Sequence, residues 1–459
     1  MKESNENISA QIVPDWINGR EEKIKTIFNV KEEGNMKKRN GSKRTMAVMM
    51  TAVMAVSMNT AVMAAGDSGD TITLTWLNHY AEAGKQAWLQ SVKEQFEAKY
   101  DNVVLNIETV DADNHKTILQ TKLASDDAPA IFDLASNADL AIYNESGYLA
   151  DLSDFECLSN VDADLLKEGV VDGKQLGIPI ELSGYGVFYN VDLFKQYDLE
   201  EPKTLSELKQ VCDTLKENGI TPFATPFAEA WAFSCYPRTL YDEVCWHGDG
   251  DFWAKLMDRS MKFADSDSFK TQMETTWSLH EYWGDDAFGT SWDSAQQMMA
   301  NQEAAMCVHG SWAVDGITSY NPDINIGVFP MPVSENPEEA LMIKEPGQQL
   351  VLYNFDDEAT KEAARNLYNL IYSQDSMKVY AEEAHQMPSV AGDYDMLPAL
   401  AEIMNYPAEE SFSEAGLTRL DSEHQDVLFE TMMNACMGDD FDVDTLLSEL
   451  DTAFDNLAQ

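Results

Sequence analysis

Short apolar segments alternate with amphipathic segments along the chain, and this order restricts the possible folds more than any other feature. Residues 72–77 (ITLTWL), 103–110 (VVLNIETV) and 130–135 (AIFDLA) have the length and composition of buried strands. Amphipathic helices are predicted after these strands, over residues 84–100, 115–124 and 138–145. A β-α-β-α-β order with short connections predicts an open parallel sheet covered by helices.

The middle of the chain indicates a second α/β unit. Residues 176–190 (LGIPIELSGYGVFYN) are predicted to form a strand that crosses into it. Thr204 and Glu207 form a T-x-x-E capping box, which opens a helix that reaches Asn218 and stops at Gly219. The remaining predictions are mostly helix over 228–306, strands at 324–333 and 349–354, and helices from 358 onward.

Two predicted crossings between the units, near 179–181 and 328–331, indicate two lobes joined by more than one segment. A chain of 459 residues also exceeds one ordinary core. We predict a first lobe of residues 71–180 plus 331–372 and a second lobe of residues 181–330 plus 373–459. Such an arrangement makes a hinge and an interlobe cleft, where ligands bind.

The charge balance is strongly acidic. The chain has 31 Lys and Arg against 80 Asp and Glu, a formal net charge of −49. This charge repels nucleic-acid backbones and anionic lipid, so neither is an expected partner. Solubility outside the cell is the plain explanation, and capture of a cationic ligand or calcium is the alternative. No loop with EF-hand spacing supports calcium.

Residues 36–65 have the pattern of a secretory signal. A basic block follows Met36, an apolar stretch runs from Met46 to about Met58, and small residues close it at Ala64 and Ala65. We predict that Met36 is the true start, that residues 1–65 lie outside the fold, and that the protein is exported to the extracellular space or cell surface. An uncleaved membrane anchor is the alternative. No Cys stands at the cleavage site, so lipid attachment there is not expected.

All six cysteines follow this segment, at positions 157, 212, 235, 245, 307 and 436. None forms a CxxC motif or a Cys/His zinc spacing. Cys235 and Cys245 could pair across a short loop, and single buried thiols are the alternative.

The ordered segments together resemble the family 1 extracellular solute-binding proteins of sugar ABC importers, the group that includes maltose-binding protein. The segments that carry this resemblance are KLASDDAPAIFDLA (122–135), GYLADLSDF (147–155), DGKQLGIPIELSGYGVFYNVDLF (172–194), KTLSEL (203–208), QMMANQEAAMCVHGSWAVDGI (297–317), IGVFPMPV (326–333) and AARNLYNLIYSQDSMKVYAE (363–382). The resemblance implies an α/β periplasmic-binding-protein-like fold. It further implies a carbohydrate ligand in the cleft, and lobe closure that signals the permease subunits of the importer.

Aromatic side chains are the first candidates for ligand contact, because a sugar stacks its apolar faces on flat rings. Trp312, in the HGSW segment, and Trp231, in FAEAWAF, resemble cleft positions of the family. The alternative for each is a core tryptophan packed between helix and sheet.

Polar candidates stand where predicted strands end, since ligands bind at the carboxyl ends of strands in open α/β sheets. Asn78, His79 and Glu82 follow the first strand, and Asn137 and Asp139 follow the third. A helix cap is the alternative for Asn137 and Asp139. No second His stands at ligand spacing from His79, so no metal or cofactor is expected.

Three further candidates stand at the predicted crossovers. The resemblance places Glu181 and Tyr185 at the hinge, where family members often contact the ligand. Gln348 precedes the strand after the second crossover.

Two rival functions remain open from the sequence. A secreted carbohydrate-active enzyme would need a nucleophile with a base or paired carboxylates, and no G-x-S-x-G, HExxH, P-loop or G-x-G-x-x-G motif is present. The same fold could instead bind a non-sugar solute such as a polyamine, a peptide or iron. We predict a monomeric binding protein for a mono- or oligosaccharide rather than an enzyme.

Overall fold

Two β-sheets organise the chain, one in each of two lobes. The computed structural model describes residues 71–457 apart from 126, 135–136, 249–251, 408–410, 413–418 and 439. The predicted signal in residues 1–65 therefore lies outside the described residues. Within the described part, none of the helices has the length and apolar character needed to cross a bilayer.

The first sheet has the strand order β2-β1-β3-β12-β6. Its strands are β1 (Ile72–Asn78), β2 (Val103–Thr109), β3 (Ile131–Leu134), β6 (Gly177–Pro179) and β12 (Gln349–Leu352). β1 pairs in parallel with β2 and β3, as the sequence predicted, while β12 runs antiparallel to both β3 and β6. A small hairpin of β4 (Val170–Val171) and β5 (Lys174–Gln175) lies apart from it.

The second sheet has the order β13-β11-β7-β9-β8, with β10 paired to β7. Its strands are β7 (Leu182–Asn190), β8 (Thr221–Phe223), β9 (Ala304–Gly310), β10 (Ile326–Phe329), β11 (Met342–Pro346) and β13 (Ser411–Phe412). The prediction of helix up to Met306 was wrong, because the buried strand β9 begins at Ala304. A fully buried strand has no polar alternation, so periodicity does not separate it from a buried helix.

Helices cover both sheets. Those in the first half of the chain are α1 (Ala83–Lys99), α2 (Ala112–Leu123), α3 (Asn137–Glu145), α4 (Ala163–Leu166), α5 (Val191–Gln196), α6 (Leu205–Glu217) and α7 (Ala230–Gly248). The later helices are α8 (Phe252–Met257), α9 (Asp267–Trp277), α10 (Trp292–Ala300), α11 (Ala313–Tyr320), α12 (Glu358–Ile371), α13 (Gln374–Glu382), α14 (Pro398–Asn405), α15 (Ser422–Cys436) and α16 (Val443–Leu457).

Local sequence signals fix several helix ends. The predicted capping box is present at α6, where Thr204 Oγ1 accepts from the Glu207 backbone N–H and the Glu207 carboxylate accepts from the Thr204 N–H. Gly219 then turns the chain away at φ 77°. A residue with a β-carbon is strained in that left-handed conformation, which is why glycine ends this helix.

The chain passes between the sheets at places that differ in part from the prediction. The first crossing, between β6 and β7, agrees with the expected 179–181. The crossing expected at 328–331 was wrong: β10 and β11 both pair with β7, and the chain next leaves this sheet between β11 and β12. The two prolines at 330 and 332 end β10, but the chain then returns to the same sheet.

Lobe membership follows from these crossings. Residues 331–346 lie with the second sheet rather than the first, as the pairing of β11 with β7 requires. Met377 and Tyr380 of α13 pack in the first-lobe core with Trp76 and Trp88, although the sequence assigned them to the second lobe. The chain enters the second lobe again before α14, whose Ile403 packs beneath the second sheet.

Candidate functional site

The carboxyl ends of β1 and β3 carry a cluster of titratable side chains. His79 directly follows β1, Asp133 lies within β3, and His115 stands in the first half of α2. His79 Nδ1 lies 2.6 Å from Asp133 Oδ2, and His115 Nε2 lies 3.7 Å from Asp133 Oδ1. Parallel strands bring their ends to one edge of a sheet, so residues far apart in sequence meet here.

Charge and burial oppose each other in this cluster. Burial lowers the pKa of His79, but the Asp133 carboxylate outweighs it and the net pKa is raised. Burial also lowers the pKa of His115, and Asp133 offsets only part of this shift. Burial raises the pKa of Asp133, but both histidines outweigh it and the net pKa is lowered. The carboxylate and a protonated His79 therefore stabilise each other.

Asn78 and Glu82 lie beside this cluster in different roles. Asn78 is fully buried, and its Oδ1 accepts hydrogen bonds from the Tyr80 N–H and the Thr109 hydroxyl. It holds the end of β1 to the end of β2. Glu82 precedes α1 and is partly exposed, and its side chain makes no helix-capping hydrogen bond. Asn78 is therefore a structural residue at the ends of β1 and β2.

Glu181 lies at the first crossing and forms a buried cluster with Lys85 and Tyr380, which we call the Lys85–Glu181–Tyr380 tie. Its Oε1 lies 3.1 Å from Lys85 Nζ, and its Oε2 accepts a hydrogen bond from the Tyr380 hydroxyl. Its backbone carbonyl accepts from the Gly347 N–H, which lies on the second crossing. The two crossing segments and α1 are thereby joined at one point. The Glu181 carboxylate is engaged within the protein in this conformation.

Aromatic rings form a wall on the second lobe. We call Trp231, Trp292, His309 and Trp312 the indole wall. His309 stacks on Trp292 with ring centroids 3.9 Å apart and planes at 13°. Trp231 and Trp312 each meet His309 edge to face, at 5.6 and 5.4 Å. Gly310 is required here, because a β-carbon at that position would stand 2.2 Å from the Trp312 ring.

His309 is the buried centre of the indole wall. It is fully buried, and burial lowers its pKa to about 3, with a smaller opposite contribution from the Gly310 backbone. Neither ring nitrogen makes a hydrogen bond of good geometry. The ring is therefore neutral and acts as an aromatic support, whereas Trp231, Trp292 and Trp312 keep part of their surface exposed.

Tyr185 supports the indole wall from beneath. Its ring meets Trp312 edge to face at 5.5 Å, and the Arg238 guanidinium lies 4.5 Å from its centroid. Arg238 donates from Nη2 to both carboxylate oxygens of Glu345 at 2.5 Å. Tyr185 is 6 % exposed, so it positions Trp312 rather than presenting its own ring.

Hydrogen bonds between described residues also join the two lobes directly. On one side Asp139 of α3 accepts hydrogen bonds from the backbone N–H and hydroxyl of Ser422, which begins α15, both at 3.2 Å. Burial raises the pKa of Asp139 to about 6, against the hydrogen bonds from Ser422. On the other side the Gly84 N–H donates to Asp315 of α11 at 3.2 Å. The Gly84–Asp315 contact lies beside the crossings, next to the Lys85–Glu181 ion pair.

The remaining two predicted site residues are Asn137 and Gln348. Asn137 is the first residue of α3, and its side chain lies outside the described residues. Gln348 precedes β12 and is partly buried, and its Oε1 is buried without a hydrogen-bond partner.

Sequence reasoning missed four residues of these clusters: His115, Asp133, Trp292 and His309. Two of them carried a signal, because Asp133 and His309 are polar residues inside apolar strand segments.

The sequence left open whether Cys235 and Cys245 form a disulfide. Cys235 is a free, buried cysteine in this structure. The side chain of Cys245 lies outside the described residues.

A family model described as bacterial extracellular solute-binding protein matches residues 80–378. The multiple sugar-binding protein of Streptococcus mutans is 24 % identical over 295 residues, which span 62 % of this chain and 68 % of that protein. The melibiose/raffinose/stachyose-binding protein MelE of Bacillus subtilis is 21 % identical over 336 residues, 70 % of this chain and 75 % of its own length.

Solved structures share the fold. A chitin oligosaccharide binding protein superposes with a TM-score of 0.74 at 21 % identity, covering 84 % of this chain and 99 % of that one. The solute-binding protein RafE in complex with raffinose has a TM-score of 0.72 at 20 % identity, covering 85 % of this chain and all of the other. The predicted two-lobed, periplasmic-binding-protein-like α/β fold is therefore confirmed.

Proposed function

The chain belongs to the bacterial extracellular solute-binding proteins, and from that premise we propose that it captures a mono- or oligosaccharide between its lobes for an ABC importer. The relatives named above for sugars support this class of ligand. Within the chain itself, the indole wall is the observation that carries the proposal. Partly exposed indoles held by a buried aromatic ring suit the apolar faces of a sugar.

Polar groups for the sugar hydroxyls come from the opposite lobe. His79 and Glu82 stand at the carboxyl end of β1, and Gln348 stands at the crossing before β12. Carboxylate and amide oxygens accept hydrogen bonds from hydroxyl groups, and amide nitrogens donate to them. Asp139 contributes at the rim, where it already holds Ser422.

Ligand capture proceeds by closure of the lobes about the crossings. The Asp139–Ser422 contact forms in the closed arrangement and opens when the lobes separate. A sugar that contacts both lobes binds the closed form more tightly and shifts the equilibrium toward it. The closed form is then the one that the permease subunits recognise.

We propose further that the protein works by binding alone, as an exported monomer. The named relatives are binding proteins, and the solute-binding family is extracellular. The sugar therefore leaves the cleft chemically unchanged.

One observation favours a cationic ligand as the second candidate. Glu229, beside Trp231 and Trp292, has its pKa raised by burial and by the charges of Asp113 and Asp111 across the cleft. Three carboxylates that repel one another would be relieved by a polyamine. Ammonium groups also bind the faces of aromatic rings, so the indole wall suits both candidates, and the sugar-binding relatives favour the sugar.

A thermal-shift panel with calorimetry tests these candidates. The purified full chain is melted with mono- and oligosaccharides, with spermidine, and with buffer alone. A ligand that binds only the native state stabilises it by RT ln(1 + [L]/Kd), so the melting temperature rises with the logarithm of the ligand concentration once that concentration exceeds Kd. We expect a shift with at least one sugar and recovery of that sugar unchanged after incubation. A shift with spermidine and with no sugar would overturn the sugar proposal, and release of reducing ends would overturn the proposal of binding alone.

A further inference from the structure

Four buried polar atoms point at one another in the first lobe without hydrogen bonds. They are His79 Nδ1, His115 Nε2 and both carboxylate oxygens of Asp133. Asp133 is 1 % exposed and His115 9 %. The approach of His79 to Asp133 is short, but its direction does not meet hydrogen-bond geometry. Buried polar atoms are almost always hydrogen-bonded, so four that lie at ion-pair distances from one another without hydrogen-bond geometry require an explanation.

We propose that His79, His115 and Asp133 bind one divalent transition-metal ion, of the zinc class, at the carboxyl end of the first sheet. One donor atom from each residue lies within 4.8 Å of the other two. Ligands of a tetrahedral zinc ion stand about 3.4 Å apart, from bond lengths near 2.1 Å. The three side chains therefore need shifts of only about an ångström to enclose an ion.

The surroundings hold the Asp133 carboxylate in place and leave the His79 side chain free to move. Asp133 is fixed by its place in β3, opposite Leu350 of β12. His79 lies in the loop after β1, with its side chain 23 % exposed, so it can turn to widen its 2.6 Å separation from Asp133. A rigid carboxylate with one adjustable imidazole is a workable ligand set.

The ligand types select the kind of metal. Two imidazoles and one carboxylate suit Zn²⁺, Ni²⁺, Co²⁺ and Cu²⁺, whereas Mg²⁺ and Ca²⁺ prefer sites made of oxygen ligands. Three protein ligands leave a tetrahedral ion one position for water. Glu82 adds a nearby negative charge, as its effect on His79 shows. This inference does not rest on the proposed function, because it needs no sugar.

Calorimetry on the chelator-stripped full chain tests the site. Zinc chloride is titrated into the parent protein, into His115→Gln, and into His280→Gln as the matched control, whose imidazole is exposed and outside the cluster. We expect one ion per chain in the parent and the control. Loss of a hydrogen-bond partner of a metal ligand weakens metal binding by up to about 100-fold. Loss of a metal ligand itself should therefore weaken zinc binding by more than about 100-fold.

A second variant and a second readout keep the test decisive if His115→Gln folds poorly. His79→Gln changes a partly exposed side chain, and thermal melts establish whether each variant is folded. Cobalt bound to the parent should give visible absorption bands that both variants lose. Binding that survives in a folded His79→Gln or His115→Gln variant would overturn the proposal, as would a parent that binds calcium as tightly as zinc. Sugar binding by the stripped protein is measured separately, so failure here leaves the proposed function untouched.

Discussion

Trp312 illustrates how one residue depends on several neighbours. Its ring lies over Gly310, meets Tyr185 and His309 edge to face, and remains partly exposed. The sequence identified Trp312 and Tyr185 as candidates, but it did not identify His309 or the edge-to-face contacts that orient the Trp312 ring. A stacking surface is useful to a ligand only when it is fixed before the ligand arrives, because ordering it later costs free energy.

Replacing Trp312 with alanine should weaken binding of the sugar found in the panel by about 1–3 kcal/mol, the range for loss of an aromatic stacking surface. Calorimetry at constant pH measures the change. Trp277→Ala is the control, since Trp277 stacks on His280 and Phe441 outside the indole wall. Equal affinity in the parent and Trp312→Ala would remove this ring from the site.

His309 should make the protein less stable as the pH falls. Its folded pKa of about 3 lies below the unfolded value of about 6.5, so below pH 6.5 only the unfolded chain takes up the proton. The contribution to unfolding free energy lost between pH 7 and pH 5 is about 2 kcal/mol. The free energy of unfolding continues to fall until the pH nears 3.

The variant His309→Phe keeps an aromatic ring but cannot titrate. Urea unfolding at pH 7 and pH 5 should show a smaller loss of stability for this variant than for the parent. His280→Phe, at an exposed position, should follow the parent. The same pH dependence in His309→Phe and the parent would contradict the assignment.

At the scale of elements, the Lys85–Glu181–Tyr380 tie connects α1, the first crossing and α13. All three side chains are buried. A buried ion pair adds little net stability, but removing one partner leaves the other charge without compensation. The tie therefore fixes the geometry of the hinge more than it stabilises the fold.

Lys85→Met should lower the free energy of unfolding at pH 7 by about 3–5 kcal/mol, because the Glu181 carboxylate stays buried. Lys361→Met, which removes an exposed pair with Glu358, should cost about 0–1 kcal/mol. Urea denaturation measures both, and equal losses in the two variants would show that the tie is not a buried charge pair.

At the scale of the whole molecule, charge sets the response to salt. A net charge of −49 repels itself in the compact state more than in the unfolded chain. Raising the ionic strength from 0.01 to 0.15 M shortens the screening length from about 30 Å to about 8 Å. The melting temperature should therefore rise with sodium chloride. A sucrose series of equal osmolality is the control, and a melting temperature that falls with salt would contradict this account.

Much of the architecture was predictable because it rests on local signals. The strands β1 and β2, the helices α1 and α6, and the capping box at Thr204 follow from periodicity and end residues. The strand β9 was missed, since a continuous apolar run suits a helix or a strand equally. The strand β11 was missed because it has only five residues, and Lys344 and Glu345 interrupt its apolar pattern. The position of the second crossing depends on which sheet β11 joins, and local sequence does not determine which strands pair.

The sequence by itself determined the fold class, the family resemblance and the residue types at the strand ends, because those depend on spacing along the chain. Only the tertiary structure decided that His115 stands beside His79, where sequence spacing had indicated no metal ligand. It likewise decided that His309 backs Trp231 and Trp312. The reason is physical: parallel strand pairing brings distant segments to one edge, and which distant residues meet there depends on the packing of the whole lobe.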